Sequence, residues 1–412
     1  MSSPIGLSIG FNFDDRLIEG LRALNTKAGR VAVKEVFAAL PDGPVPSARP
    51  ESRIRAPGWK EFAGQVDLLR GAGIGFNYLL NARIKWTPAV RAATRDFVAR
   101  LSDAGVSAVT VAHEEMIDDV KAVAPALTVV VSVTRGVSSE DDIRRIAASG
   151  ADATYLDPTV VNRDFGSLRR LIAASRLPVR LYANVSCLSR CPVTARHYAL
   201  FGIQRKSASV AAANDQYFLG CSLVKVLSPV EWIQMPWIRP EDLPVYAALG
   251  VTQFKLSDRL ASTAVILRIA AAYCALRSPA DLFEMIERDG GKFRLLGFST
   301  PPMRIHSSRV PADFIEHFTS GSCCSDDVGC EYCTGVARNA VEQLISAAEL
   351  RELANTRMGQ APAKLLRRAN ESDGPANLSD SVTCAGRMDM ASVIVATARL
   401  RLSDLRSEGP FG

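Results

Sequence analysis

The sequence predicts an α/β fold, a (β/α)8 barrel followed by a C-terminal cysteine-rich and helical extension. Three observations support this prediction: eight short apolar, β-branched runs before residue 260, a helical pattern after most of them, and several runs that are apolar on both faces. Strands of this last kind are typical of a parallel sheet covered by helices. An open doubly wound sheet is the alternative, but the first run lacks the G-x-G-x-x-G turn of dinucleotide-binding folds.

The elements follow in order along the chain. The predicted strands lie at 5–10, 31–37, 74–80, 107–112, 127–133, 153–156, 178–183 and 251–256. The predicted helices lie at 15–25, 60–71, 89–104, 115–123, 140–149, 163–175, 260–276, 336–355 and 388–403. We therefore divide the chain into a barrel at 1–278, an irregular cysteine-rich segment with a helix at 279–360, and a polar linker with a helical tail at 361–412.

The composition is ordinary for a soluble globular enzyme, which we expect to lie in the cytoplasm because the sequence shows no export signal. Hydrophobic residues make up 48% and charged residues 22% of the 412 residues, and the net charge is +6. The basic residues are scattered, which permits an anionic substrate or RNA but favours neither. The N-terminus lacks the pattern of a secretory signal, and no apolar run reaches the roughly 18 residues of a transmembrane helix. We expect no membrane insertion.

The nine cysteines are expected to bind a metal group or do chemistry, because the cytosol keeps thiols reduced. They form an early group and a late group, with members Cys187, Cys191, Cys221, and Cys323, Cys324, Cys330, Cys333. Thiolates select zinc or iron–sulfur clusters. Zinc sites usually have two close C-x-x-C pairs, whereas the late group has one such pair and the early group a wider spacing. A 4Fe–4S cluster tolerates such spacing better.

The predicted cluster takes three ligands from Cys187, Cys191 and Cys221 and a fourth from the late group. A zinc site is the alternative, and the late cysteines leave room for a second metal site. Cys274 lies in an apolar helical pattern and is predicted to pack in the core, and Cys384 carries no motif.

Polar residues directly past the predicted strands converge on one face of a barrel, where substrates bind. Those predicted to bind substrate are Asn77, Asn81, His113 and Asn184. Lys255 and Arg259 supply positive charge for a carboxylate, unless they form a buried ion pair with Asp258 or Glu35. His197 donates to a cluster sulfur, binds substrate, or has a structural role. We find no H-E-x-x-H zinc motif, since Ile117 stands at its second histidine position, and no G-x-S-x-G motif.

Several segments together resemble the collagenase-like peptidase U32 family. They are VKEVFAALP, GFNYLLNARI, NVSCLSRCPVTARHY, IRPEDLPVYAALGVTQFKLSDR and, near the C-terminus, GCEYC. The resemblance covers most of residues 5–340. It implies a barrel-like protein that holds an oxygen-sensitive 4Fe–4S cluster through four cysteines, with Cys187 and Cys191 as ligands. It also implies that Lys255 and Arg259 line the site.

Relatives of this kind support oxygen-independent hydroxylation of a quinone ring or of RNA bases, in several cases with prephenate as the oxygen source. The cysteine spacing here differs from that of the quinone-pathway members. We therefore expect an iron–sulfur enzyme that modifies a small molecule or RNA by hydroxylation or related redox or group-transfer chemistry. The alternatives are a non-catalytic partner subunit, because some relatives work as heterodimers, and a peptidase.

Overall fold

The structure is a computed structural model. It describes residues 5–27, 29–47, 57–203, 208–257, 260–287, 291–294, 296–323, 330–346 and 349. The predictions for Asp258, Arg259, Cys324, Cys384 and the tail at 361–412 fall outside these residues.

Eight parallel strands close into a barrel in the order of the sequence, and β1 pairs with both β2 and β8. The strands are β1 (Ile5–Gly10), β2 (Val31–Ala38), β3 (Gly75–Leu80), β4 (Ala108–Val111), β5 (Thr128–Val131), β6 (Ala153–Tyr155), β7 (Val179–Tyr182) and β8 (Gln253–Leu256). This arrangement confirms the predicted (β/α)8 fold class. Each strand begins and ends within two residues of its predicted range.

Helices surround the barrel, and several of them, including the first three, bury an apolar face against it. They are α1 (Asp15–Thr26), α2 (Trp59–Gly71), α3 (Pro88–Asp103), α4 (Glu115–Val123), α5 (Glu140–Ala148), α6 (Pro158–Val161), α7 (Phe165–Ala174), α8 (Thr194–Ile203), α9 (Ala208–Leu227), α10 (Val230–Gln234), α11 (Leu243–Ala248) and α12 (Thr263–Cys274). Within the described ranges, no helix is both long and apolar enough to cross a membrane.

Local sequence explains where several of these helices begin. Asp14 precedes α1 and its carboxylate accepts a hydrogen bond from the backbone N–H of Arg16. Thr87 caps α3 in the same way, and Pro88 occupies the first turn, where its missing N–H costs nothing. Ser139 caps α5, whose first turn carries three acidic residues that favour the positive end of the helix dipole.

The segment after the barrel contains more regular structure than the sequence predicts. It comprises α13 (Phe283–Ile286), α14 (Gly291–Arg294), β9 (Met303–Ile305), α15 (Phe314–Thr319), α16 (Glu331–Ala340) and β10 (Val341–Gln343). The predicted helix at 336–355 is confirmed only for 336–340, because α16 ends at Ala340 and Val341–Gln343 pair antiparallel with β9. Residues 347, 348 and 350–355 of that prediction lie outside the described residues. Pairing with a strand distant in sequence overrides the local helical preference.

The RPED sequence at 239–242 attaches this later segment to the barrel. The guanidinium of Arg239 donates two hydrogen bonds to the carboxylate of Asp242, at 2.8 and 2.9 Å. It also donates to the carbonyls of Pro311 and Ala312, at 3.0 and 3.1 Å. The Arg239 and Asp242 side chains are 4% and 6% exposed. A buried, bidentate pair of this kind fixes geometry as well as charge.

We expect Asp242→Ala to lower the free energy of unfolding by about 3–5 kcal/mol, because it leaves the Arg239 charge buried without its carboxylate. Glu140→Ala is the matched control, since it breaks the exposed pair with Arg144 and should cost under about 1 kcal/mol. Urea unfolding of the two variants measures the difference. Equal losses would contradict the structural role of the buried pair.

Candidate functional site

The interior of the barrel is polar at its centre. The Oε1 atom of Glu35 on β2 accepts hydrogen bonds from Ser8 on β1 at 2.7 Å, Asn77 on β3 at 3.2 Å and Arg180 on β7 at 3.0 Å. Barrels of this class usually fill this space with branched aliphatic side chains. Four strands of this barrel instead contribute to one charged hydrogen-bond network.

Lys255 lies in the same interior, on β8 between Ser8 and Tyr182 of the neighbouring strands. Its side-chain nitrogen is 3.9 Å from the ring centroid of Phe37 and 5.3 Å from that of Tyr155. Both rings face the ammonium in the geometry of a cation–π contact. Burial, followed by the negative charge of Glu35, raises the pKa of Tyr155 to about 12. The structure thus places the predicted Lys255 inside the barrel.

Two of the predicted asparagines are engaged by neighbouring protein groups. Asn77 accepts a hydrogen bond from Thr110 at 2.8 Å in addition to donating to Glu35. Asn184 accepts from the backbone N–H of Ser257 at 3.0 Å and donates to the Ser257 carbonyl at 3.2 Å. These bonds give both side chains a role in holding the barrel, and their contact with substrate stays a prediction.

The other two predicted substrate contacts, Asn81 and His113, shape the rim beside β3, β4 and β5. Asn81 donates to the Ser132 hydroxyl at 3.1 Å. The Nε2 atom of His113 accepts from the backbone N–H of Ile84 at 3.1 Å, and the imidazole stacks on Trp86. Burial lowers the pKa of His113, so the ring is neutral at pH 7. Its position supports the 81–86 segment.

The first thiol group comprises Cys187, Cys191 and Cys221. Cys187 and Cys191 follow β7, and Cys221 lies on α9. Burial, with smaller contributions from the charges that Cys187 and Cys221 can carry, raises the pKa of the Cys191 thiol to about 11. Cys191 is therefore within electrostatic range of both Cys187 and Cys221, and Cys187 and Cys191 lie past the carboxyl end of β7.

His197 belongs to α8, and its ring packs between α8 and α9, the two helices that follow Cys191. Its imidazole, on α8, stacks on Tyr217 of α9 with ring centroids 5.1 Å apart and planes 9° apart. Its ring also meets the edge of Phe218 at 4.8 Å. These contacts join α8 to the helix that carries Cys221. A structural role for His197 follows, and its predicted catalytic role stays a prediction.

The second thiol group comprises Cys323, Cys330 and Cys333. Cys330 and Cys333 are buried, and Cys330 directly precedes α16. Burial raises the pKa of Cys333 to about 12, while the Arg163 guanidinium opposes this and Cys330 and Cys323 add to it. Arg163 is held over the ring of Trp237 at 4.5 Å. The structure therefore brings the predicted metal ligands into two groups.

The donor chemistry of the first group fits a sulfur-bound metal group. Cys187 and Cys221 both act electrostatically on Cys191, and thiolates are soft donors that bind iron–sulfur clusters or zinc. In the described part of the chain, however, no three cysteine, histidine, aspartate or glutamate side chains are arranged to hold a single metal ion. The first thiol group therefore fits a sulfur-bound metal group by the type of its donor atoms and by the electrostatic influence of Cys187 and Cys221 on Cys191.

A buried ion pair behind the first thiol group was not predicted from the sequence. Lys225, one helical turn after Cys221 on α9, pairs with Glu287 and donates to the backbone carbonyl of Ser186 at 2.6 Å. Both charged side chains are almost fully buried. Because Ser186 precedes Cys187, the ammonium links the Cys187 loop to the helix of Cys221. The available signal was a single lysine within the apolar run LGCSLVKVL.

The comparisons with known proteins bear on the resemblance in the sequence. No family model matches the chain. The chain is 26% identical over 274 residues to the uncharacterized protease MJ1657 of Methanocaldococcus jannaschii, which covers 66% of this chain and 80% of that protein. Together with the sequence motifs, this similarity supports a relationship to the U32 peptidase family. The resemblance predicted from the motifs is thereby confirmed.

The chain is also similar in structure to several solved proteins, two of which are a U32 peptidase and a tryptophan synthase subunit. The U32 peptidase Mk0906 is 19% identical, with 63% of this chain and 94% of that chain covered and a TM-score of 0.43. The tryptophan synthase A-subunit of Pyrococcus furiosus is 14% identical, with 72% and 99% covered and a TM-score of 0.37. The (β/α)8 fold is assigned from the strand pairing of this chain and not from these similarities.

We expect Lys225→Met and Glu287→Met each to lower the free energy of unfolding by about 3–5 kcal/mol, because each leaves one buried charge without its partner. The double variant should lower the free energy of unfolding by only about 1–3 kcal/mol relative to the unaltered protein. Neither buried charge remains in it, and the cost comes from the Ser186 carbonyl, which loses its donor. Denaturant unfolding of all four proteins forms a double-mutant cycle. Additive losses would contradict a direct pair.

Proposed function

We propose that the chain is an enzyme that binds a 4Fe–4S cluster at the mouth of the barrel through Cys187, Cys191 and Cys221. The fourth ligand comes from the late cysteines, which are Cys323, Cys324, Cys330 and Cys333. The enzyme modifies a small molecule or RNA by oxygen-independent hydroxylation or by related redox or group-transfer chemistry. This proposal is supported by the electrostatic influence of Cys187 and Cys221 on Cys191, in a segment that follows β7 of a closed barrel.

The donor set favours a cluster over a single zinc ion. Structural zinc draws four ligands to one point at about 2.3 Å from each sulfur. The first thiol group draws its sulfurs from a loop and a separate helix, and Cys191 is within electrostatic range of the other two. A cluster spreads its ligands over several iron atoms, so it suits sulfurs that approach from separate elements.

The surroundings suit chemistry on an anionic or polar substrate. A 4Fe–4S cluster, when bound, supplies electron transfer or an iron that is open to a ligand. Lys255 holds a positive charge inside the barrel, and the Glu35 network keeps the neighbouring polar groups in fixed orientations. The buried rings of Phe37 and Tyr155 exclude water around the ammonium, which strengthens its attraction for an anion.

The remaining parts of the proposal follow from the resemblance. Arg259, four residues after Lys255 in the sequence, adds a second positive charge that lines the site. His197 acts on the substrate or on a cluster sulfur. Prephenate is the proposed co-substrate, and a homologous or pathway subunit is the proposed partner. The cytoplasm is the proposed location, because its reducing conditions preserve the thiols.

Purification without oxygen tests the cluster directly. We expect the broad visible absorption of an iron–sulfur protein and about four irons per chain. Both the absorption and the iron content should be absent or lower in Cys187→Ala, Cys191→Ala and Cys221→Ala. Cys274→Ala is the matched control, since Cys274 ends α12 away from both thiol groups in the sequence, and it should keep its iron.

A colourless protein with one zinc, or with no metal after anaerobic reconstitution, would contradict the proposal. Hydrolysis of a peptide substrate by that colourless protein would instead support a peptidase. Equal iron loss in the Cys274 variant would mean that the iron depends on general stability and not on the first thiol group.

A further inference from the structure

Arg83 is a half-buried cation at the rim of the barrel, three residues after the end of β3. No carboxylate in the described part of the chain forms an ion pair or hydrogen bond with its guanidinium. Burial, followed by the positive charge of Arg135, lowers its pKa. An arginine in this position loses hydration without gaining a counterion, which is unfavourable unless a ligand supplies the negative charge.

The backbone around Arg83 is held firmly on both sides. The Ala82 N–H donates to the carbonyl of Pro46 at 3.0 Å, and the Ile84 N–H donates to His113 at 3.1 Å. The hydroxyl of Thr134 donates to the carbonyl of Asn81 at 3.1 Å. These bonds fix the main chain from which the Arg83 side chain extends. The uncompensated charge therefore belongs to an ordered segment of the rim.

The rim carries a second unsatisfied donor in the same segment. The indole N–H of Trp86 is buried and has no acceptor within the described ranges. The Trp86 ring stacks on His113 with centroids 5.9 Å apart. Beside the charge of Arg83 the rim thus offers a flat, largely apolar wall.

Arg83 is the half-buried cation of this part of the rim whose charge no described ion pair compensates. Arg135 is compensated by Glu114, whose Oε1 lies 2.9 Å from its guanidinium. Arg145, which also contacts Glu114, has its own partner in Asp142. His113 is neutral at pH 7 because burial lowers its pKa. A single uncompensated guanidinium matches the charge of one carboxylate, whereas a phosphate dianion calls for more positive charge.

The barrel topology places Arg83 across the mouth from the first thiol group. β3 and β7 are separated by four steps in either direction around the closed barrel. Arg83 follows β3, while Cys187 and Cys191 follow β7, and parallel strands direct both segments to the same face. A small molecule bound at Arg83 would therefore lie at the same end of the barrel as Cys187 and Cys191.

We propose that Arg83 binds the carboxylate of a small-molecule substrate at the rim of the barrel. The planar guanidinium suits a carboxylate through two parallel hydrogen bonds. The proposal deepens the proposed function, since it names a substrate class for the same mouth, and it rests on that function for its catalytic meaning. Binding at Arg83 does not require the metal group.

The test measures binding of benzoate to the full chain, purified without oxygen, by isothermal titration calorimetry. Benzamide is the uncharged comparison, and inorganic phosphate is the second anion. The variants are Arg83→Gln, which removes the charge, Arg83→Lys, which keeps the charge without the fork, and Lys85→Gln. The last is a matched control because Lys85 is an exposed cation on the same segment.

We expect benzoate to bind more tightly than benzamide and phosphate. Its affinity should fall at least about tenfold in Arg83→Gln, fall by a smaller factor in Arg83→Lys, and change less than about twofold in Lys85→Gln. The melting temperature of Arg83→Gln should be unchanged or higher, because the variant removes an uncompensated charge. A structural arginine would instead lower it.

Three results would overturn the proposal: no benzoate binding to the unaltered protein, equal losses in the Arg83 and Lys85 variants, or tighter binding of phosphate that depends on Arg83. Iron content measured on the same samples separates the two claims. Arg83-dependent binding in a protein without iron removes the cluster and leaves this inference standing. Full iron with no benzoate binding does the reverse.

Discussion

The polar interior of the barrel depends on the hydrogen bonds that the carboxylate of Glu35 accepts. A single oxygen of this side chain accepts hydrogen bonds from donors on β1, β3 and β7. Because a buried carboxylate is costly without compensation, the Arg180 guanidinium and the two neutral donors have to be placed together. Barrel closure through β1 and β8 makes this possible, since it encloses residues that are as much as 145 positions apart in the sequence. The floor of the mouth is polar as a consequence.

The chain between β7 and β8 adds the sulfur chemistry to this scaffold. It leaves the barrel after Tyr182, carries Cys187 and Cys191, forms α8 to α11, and returns at Gln253. Long connections on a rigid barrel are where binding and catalytic residues concentrate. Two internal devices hold this connection in place. The His197 ring packs between α8 and α9, and the Lys225 ammonium ties α9 to the loop before Cys187.

Much of the fold could be predicted from the sequence because parallel strands buried on both faces leave an unmistakable apolar pattern. The same reasoning placed Lys255 and Asn77 at the barrel. It did not reveal Arg180, although a lone charge in the strand PVRLY was a usable signal. The helix expected at 336–355 ends at Ala340, because the next residues form β10 and pair with β9, which is distant in sequence. The early and late groups of thiols were already visible in the sequence, whereas the buried contacts around each group depend on long-range packing, which spacing does not encode. Arg83 was missed because only its lack of a partner distinguishes it.

An anomalous difference map at the iron absorption edge, from crystals of the protein grown without oxygen, tests the proposed cluster most directly. We expect one strong iron peak at the carboxyl end of the barrel, bonded to the sulfurs of Cys187, Cys191 and Cys221. A map with no iron peak would contradict the proposal. An iron peak confined to Cys323, Cys330 and Cys333 would contradict it as well, because the first thiol group would then have no metal to hold.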